Sequence, residues 1–107
     1  MKTAEINKTK IKSGFPAMEE ISASLDKIKD RLYIDLLNWE GYKYKPEVSV
    51  AMSYSDRELF LKYYVTEKYF KAEKTEPNQM VCEDSCVEFF VSPGEDGIYY
   101  NVEFNAI

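Results

Sequence analysis

The sequence predicts a mainly β, antiparallel fold with one short helix, and three observations lead there. Two stretches alternate apolar and polar residues with a period of two. Aromatic residues make up 15% of the chain, with nine Tyr, six Phe and one Trp, and rings of this kind bury much area in a small β-rich core. Only one segment carries apolar residues at three- and four-residue spacing. At 107 residues and 12.5 kDa the chain reads as one continuous domain, 1–107, without internal repeat or Gly/Ser linker.

The first dozen residues are polar with isolated Ile6 and Ile11, and fit an edge strand or a loose arm. Met18, Ile21, Leu25 and Ile28 then mark one face of a helix over 18–29. Pro16 and Glu19-Glu20 suit its first turn, and Lys27 and Lys29 its last. Leu32 to Trp39 is a short apolar run read as a strand, ending near Gly41.

Val48, Val50, Met52 and Tyr54 alternate with Glu47, Ser49, Ala51 and Ser53. The alternation resumes after Ser55-Asp56-Arg57-Glu58 with Leu59, Leu61, Tyr63 and Val65. A one-residue slip would turn the apolar set to water, so the register of this hairpin pairs Tyr54 with Leu59, Met52 with Leu61, Val50 with Tyr63 and Val48 with Val65. A second hairpin turns at Gly94-Glu95-Asp96-Gly97 and pairs Val91 with Tyr100, Phe89 with Val102 and Val87 with Phe104. Its other face then sets Phe90 across from Asn101, Glu88 across from Glu103 and Cys86 across from Asn105. Between the hairpins, Glu67 to Asp84 is long enough for a functional or mobile loop.

Charge and missing residue types narrow the function. A net charge of −5 and a pI near 4.8 argue against nucleic acid and anionic membranes, whose phosphates need a basic face. The chain contains no histidine, which removes Ser/His/Asp triads, Cys/His dyads and His-ligated zinc or haem. Cys82 and Cys86, if joined by extended chain, stand about 13 Å apart, too far for a disulfide with each other. No cofactor is expected. Calcium accepts oxygen ligands, but two carboxylates and a few amides fall short of the six to eight it takes. Met1 to Lys12 carries no apolar run of signal-peptide length, which fits a cytoplasmic product or a mature exported form.

Opposed carboxylates such as Glu88 and Glu103 destabilise a strand pair unless something compensates: a cation, a Lys or Arg, or a ligand rich in hydroxyl donors. Carboxylates and Asn amides are the side chains that hydrogen-bond sugar hydroxyls. The aromatic cluster of Trp39 with Tyr42-Lys43-Tyr44-Lys45 supplies rings that could stack on a sugar.

Several phrases carry a family resemblance: Asn38-Trp39, Tyr44-Lys45-Pro46-Glu47-Val48, Val65-Thr66-Glu67-Lys68-Tyr69, Asp84-Ser85-Cys86-Val87-Glu88-Phe89-Phe90 and Tyr99-Tyr100-Asn101-Val102-Glu103-Phe104-Asn105. In order, from about the helix to the last residue, they resemble the carbohydrate-binding family 9-like proteins, part of the wider DOMON-like group. The resemblance implies an antiparallel β-sandwich that binds saccharides between aromatic rings and polar side chains, with Glu88 at the position of a sugar-contacting acid. Six residues earlier, where such proteins usually carry a tryptophan platform, stands Cys82, so Trp39 or a tyrosine would have to substitute. Members typically run to about twice this length, so the resemblance also implies a sandwich truncated at the C-terminus. Dimerisation, strand exchange or a missing C-terminal half would complete it.

The expected function is a non-catalytic carbohydrate-binding module contacting a saccharide through Glu88, Glu103, Asn101 and Asn105, with Trp39 and Cys82 at the platform positions. The alternative is a structural or interaction domain that has lost sugar affinity, which Cys82 favours. A glycoside hydrolase using Glu88 and Glu103 ranks last, because a flat strand face lacks the enclosed cleft that would tune one acid upward.

Overall fold

The computed structural model describes residues 4–12, 14–36, 41 and 44–106, and the chain divides into two compact units, Met1–Glu67 and Lys68–Ile107. The first unit contains β1 (Asn7–Lys8), α1 (Met18–Asp26), β2 (Leu32–Tyr33), β3 (Glu47–Tyr54) and β4 (Leu59–Thr66). The second contains a 3₁₀ turn at Val81–Glu83, β5 (Val87–Val91) and β6 (Tyr100–Phe104). Among the described residues the regular structure is thus mainly strand, with one α-helix, and both hairpins are antiparallel, which fits the β-sandwich class.

In the first unit the β3–β4 register agrees with the alternation at every predicted pair, from Tyr54–Leu59 to Val48–Val65. β4 occupies one edge of β3 from end to end, so β1 and β2 take successive stretches of the other edge. β2 pairs Leu32 with Val50 and Tyr33 with Ser49. Only these two residues are strand, although the Ile34 N–H donates to Val48 O at 3.0 Å and carries the pairing one step further. The 37–40 part of the predicted strand, with Trp39, lies outside the described residues. The N-terminal arm is an edge strand, β1, which runs parallel to β3 with Asn7 beside Ser53 and Lys8 beside Tyr54.

The helix ends earlier than its apolar spacing predicts. It stops at Asp26, so Lys27 is its C-cap and Lys29 lies beyond it. The Lys27 and Ile28 N–H groups still bond back to Ser24 O and Leu25 O, which keeps Ile28 over the core.

Alternation predicts the pairing but not the face the helix covers. The core joins Leu25 and Ala51, each 1% exposed, to Phe60, with Ile21, Ile28 and Tyr64 around them. Ala51, Phe60 and Tyr64 lie on the face opposite the Val48–Val50–Met52 set. Ser49, Ala51 and Ser53 are small, so the helix can come close on that side, and Phe60 and Tyr64 from β4 supply the apolar bulk. Polar ties hold the contact. The Lys62 ammonium donates to Ser22 Oγ at 2.6 Å and Asp26 Oδ1 at 2.8 Å. The Tyr64 hydroxyl donates to Asp26, and the Arg31 guanidinium sits 3.6 Å from the Tyr64 ring centroid.

The connection Ser55-Asp56-Arg57-Glu58 closes on itself. The Ser55 N–H donates to Glu58 O at 2.9 Å, Ser55 Oγ accepts from the Glu58 N–H at 3.1 Å, and Glu58 Oε1 accepts from the Gly14 N–H at 2.8 Å. Lys8 pairs with Asp56 across the same end.

In the second unit the β5–β6 register is also as predicted, from Val87–Phe104 to Val91–Tyr100. The connection is longer than four residues, and Ile98 falls in it rather than in the strand. Ser92 Oγ donates to Ile98 O at 2.8 Å, the Ile98 N–H donates to Asp96 Oδ1 at 3.0 Å, and Gly97 turns with φ at +78°. These side-chain bonds take the groups a longer ladder would have used.

Candidate functional site

The face of β5–β6 that carries the predicted polar residues is built by strand alternation alone. From β5 it receives Glu88 and Phe90, and from β6 Asn101 and Glu103; Glu88 stands opposite Glu103 and Phe90 opposite Asn101. The Asn101 amide donates to Glu103 Oε1 at 3.3 Å, two residues along the same strand face. Tyr99 precedes Asn101 by the same interval, and its ring centroid is 6.0 Å from that of Phe90 with the planes inclined at 45°. Both rings are open to solvent, Phe90 at 58% and Tyr99 at 64% exposure.

This ring pair is absent from the sequence-predicted site, although the signal for it was there. Phe90 follows Glu88 by two and Tyr99 precedes Asn101 by two, so period-two alternation puts both on the polar face.

The two carboxyls act on each other. Reduced solvation raises the Glu88 carboxyl above its ordinary value, and the charge of Glu103 and a hydrogen bond between the two carboxyls add to the rise. Cys86, just before β5, has its thiol pushed up by burial and then by the negative charges of Glu88 and Glu103.

The remaining predicted residues stand elsewhere. Trp39, with Tyr42 and Lys43 of the aromatic cluster, lies outside the described residues; Tyr44 is 43% exposed. Cys82 sits on the 3₁₀ turn and is exposed, and the chain from Cys82 to Cys86 is therefore not the extended run assumed for it; both thiols are free. Asn105 is committed to structure. Its amide donates to Lys74 O at 2.7 Å and Asp84 Oδ2 at 3.1 Å.

Asp84 organises the segment before the site. Only 7% exposed, it accepts on Oδ2 from the N–H groups of Glu73 and Lys74, both at 2.8 Å, as well as from Asn105. These bonds to the Lys74 and Glu73 backbone and to Asn105 hold its carboxyl below the usual range, against the opposing effect of burial. Ser85 adds a reciprocal pair, accepting the Lys71 N–H on Oγ at 2.8 Å and donating its own N–H to Lys71 O at 2.7 Å. Gln79 Oε1 takes the Thr75 and Glu76 N–H groups. The long 67–84 connection is thus fastened to the root of β5 by Asp84 and Ser85. Sequence reading assigned Asp84 no role, because a lone Asp at a loop end carries no periodic signal.

Among the described residues, no three Cys, Asp or Glu side chains converge as a metal-ligand set. Comparison with curated proteins and with solved structures gives no significant match. A family profile, carbohydrate-binding family 9, matches residues 19–107, which is most of the chain. With its strand-rich architecture and antiparallel hairpins, the chain belongs to carbohydrate-binding family 9, a family of non-catalytic modules that bind carbohydrate.

Proposed function

We propose that the chain binds a saccharide on the β5–β6 face, with Phe90 and Tyr99 as the stacking surface and Glu88, Asn101 and Glu103 as the hydroxyl partners. The observation that carries this reading is the exposed Phe90–Tyr99 pair, with Phe90 two residues along β5 from Glu88 and on the same face, in a chain of this family. A sugar presents an apolar face of C–H groups and a rim of hydroxyls. The rings desolvate the first, and the carboxylates and the Asn101 amide accept from and donate to the second. Asn105 and Asp84 act by holding the strand ends, and Cys82, whose thiol has no flat face, lies at the flank. The open strand pair suits reversible contact rather than turnover, because neither carboxyl is enclosed.

Calorimetric titration against a panel of β-1,4-linked oligosaccharides tests this. Phe90→Ala should weaken binding by about tenfold or more, the scale of losing one buried aromatic contact, and Glu88→Ala should weaken it as well. Absence of binding to every oligosaccharide would sink the proposal. It would favour the second reading, an interaction domain, for which the observation is the exposed apolar face of the same hairpin: Tyr100 at 58%, Phe104 at 45% and Val102 at 41%.

A further inference from the structure

We propose that the first unit holds a separate small-molecule site: a cavity under the N-terminal arm that takes an uncharged molecule with an aliphatic body and one hydrogen-bonding group. It involves other residues and another ligand chemistry than the saccharide reading, and stands or falls apart from it.

The cavity follows from the strand pairing. β1 meets β3 at Ser53 and Tyr54, and β2 meets the same edge at Ser49 and Val50. Among the described residues, Ala51 and Met52 therefore have no strand partner on that edge, and the sheet is breached between the two short strands. A cavity of about 660 Å³ opens there, walled by the arm, by α1 and its exit, by Leu32 of β2 and by β3. Small-ligand sites commonly span about 300–1,000 Å³.

The arm is fastened across this space. The Thr9 N–H donates to Tyr54 O at 2.7 Å, Thr9 Oγ1 lies 3.4 Å from Ser24 Oγ on α1, and Lys8 pairs with Asp56. The family profile begins at residue 19, so the arm wall precedes the matched region.

The lining sets the ligand class. Ile6 and Ile11 from the arm, with Ile28, Leu32 and Met52, are half-buried and Val50 is buried, which makes an aliphatic wall. No aromatic side chain is among the lining residues, so a sugar finds no stacking surface. Three lysines and three carboxylates contribute, all of them exposed at the rim, and this balance favours neither sign of charge.

The group that points to a ligand is the Ser53 hydroxyl. Ser53 belongs to the lining and is only 4% exposed, yet its Oγ has no hydrogen-bond partner in the protein. A hydroxyl withdrawn from water without a partner is costly. A ligand hydroxyl or carbonyl that bonds to it removes that cost, whereas a charged headgroup brought to the same place forfeits its own hydration. Ser53 pairs with Asn7 of the two-residue β1, so the ligand reaches the hydroxyl by easing the arm outward, and the arm then closes over it as a strap.

NMR titration of the full chain with 1-octanol, octanoate, octylammonium and cellobiose tests this. 1-Octanol should shift the amides of 6–11 and 50–53 saturably, slow hydrogen exchange at the Thr9 amide, and bind about tenfold or more tighter than either charged analogue. Ser53→Ala should weaken 1-octanol about fivefold, the scale of one net hydrogen bond. It should not lower the urea midpoint of the ligand-free chain, because the group it removes has no partner. Ala23→Trp, at an exposed helix position on the cavity wall, should abolish 1-octanol binding by filling the space, and it keeps the test decisive if Ser53→Ala does not fold. No saturable shift in 6–11 and 50–53 overturns the proposal. So does binding that both variants leave unchanged, since 1-octanol then sits elsewhere on exposed apolar surface. A charged analogue or cellobiose binding at the same amides as tightly as 1-octanol overturns the ligand class.

Discussion

The two hairpins share one sequence grammar and meet different fates. In both, apolar alternation sets a register that the structure reproduces at every apolar pair, while the expected Cys86–Asn105 pair falls beyond the last strand pair, Val87–Phe104. β3–β4 has α1 against one face and two further strands on its free edge, and it supplies Ala51 and Phe60 to a packed core with Leu25. β5–β6 contributes to no such cluster among the described residues. It is anchored by a polar centre at Asp84 and leaves rings exposed on both faces. Alternation specifies which residues face each other across a pair; the neighbours that then cover a face decide whether it becomes core or surface.

Truncation breaks this contrast most sharply. Leu25→Ala should cost about 2–5 kcal/mol, because the side chain is fully enclosed between helix and sheet and leaves a cavity. Val102→Ala, at 41% exposure, should cost well under about 1 kcal/mol. Urea midpoints at matched slope measure both, and equal losses would mean that the two hairpins are equally packed.

Next in size is Asp84→Ala. It strands the Glu73 and Lys74 N–H groups and removes one acceptor of the Asn105 amide, so hydrogen exchange at residues 73 and 74 should accelerate strongly while amides of β3 and β4 keep their protection. Unchanged exchange at 73 and 74 would remove Asp84 from its anchoring role.

Acid titration should separate two carboxyls of the second unit by sign. Glu88 holds its proton more tightly folded than unfolded, so its contribution to stability is greatest at low pH and is lost as pH rises through the window just above the ordinary Glu range. Asp84 is the reverse: its contribution is present above the ordinary Asp range and is lost as pH falls below it. Stability followed against pH should lose the first slope in Glu88→Gln and the second in Asp84→Asn.

The smallest effect is Glu88→Gln at neutral pH without ligand. Removing one of two opposed charges should stabilise the chain by about a few tenths of a kcal/mol. A loss of stability would mean that Glu88 is held by a favourable contact stronger than its repulsion from Glu103.

Much of this was legible in the sequence, for a physical reason. Period-two patterning writes register directly, so Glu88 opposite Glu103 and Phe90 opposite Asn101 are legible in the sequence alone. The helix was legible from Ile21 and Leu25, but its end was not: Ile28 remains apolar and packed although the helix stops at Asp26. The covered face of β3 was hidden because Ser49, Ala51 and Ser53 look like a solvated side, whereas small size is what lets the helix approach. Ser92, Asp96 and Asp84 were illegible because their bonds go to backbone groups, which no residue pattern encodes.

The bonds gathered by Asp84 also bear on the order in which the second unit assembles. Its carboxylate takes donors 11, 10 and 21 residues away in sequence, so it cannot be satisfied until the 73–74 segment and the end of β6 have both arrived. Only the bond from Asn105 waits for β6, so the aspartate is expected to act as a latch that completes its set of donors once the hairpin has paired. If so, weakening it should leave the folding arm of a chevron nearly unchanged and speed unfolding, and a slowed folding arm would place its bonds before the barrier instead.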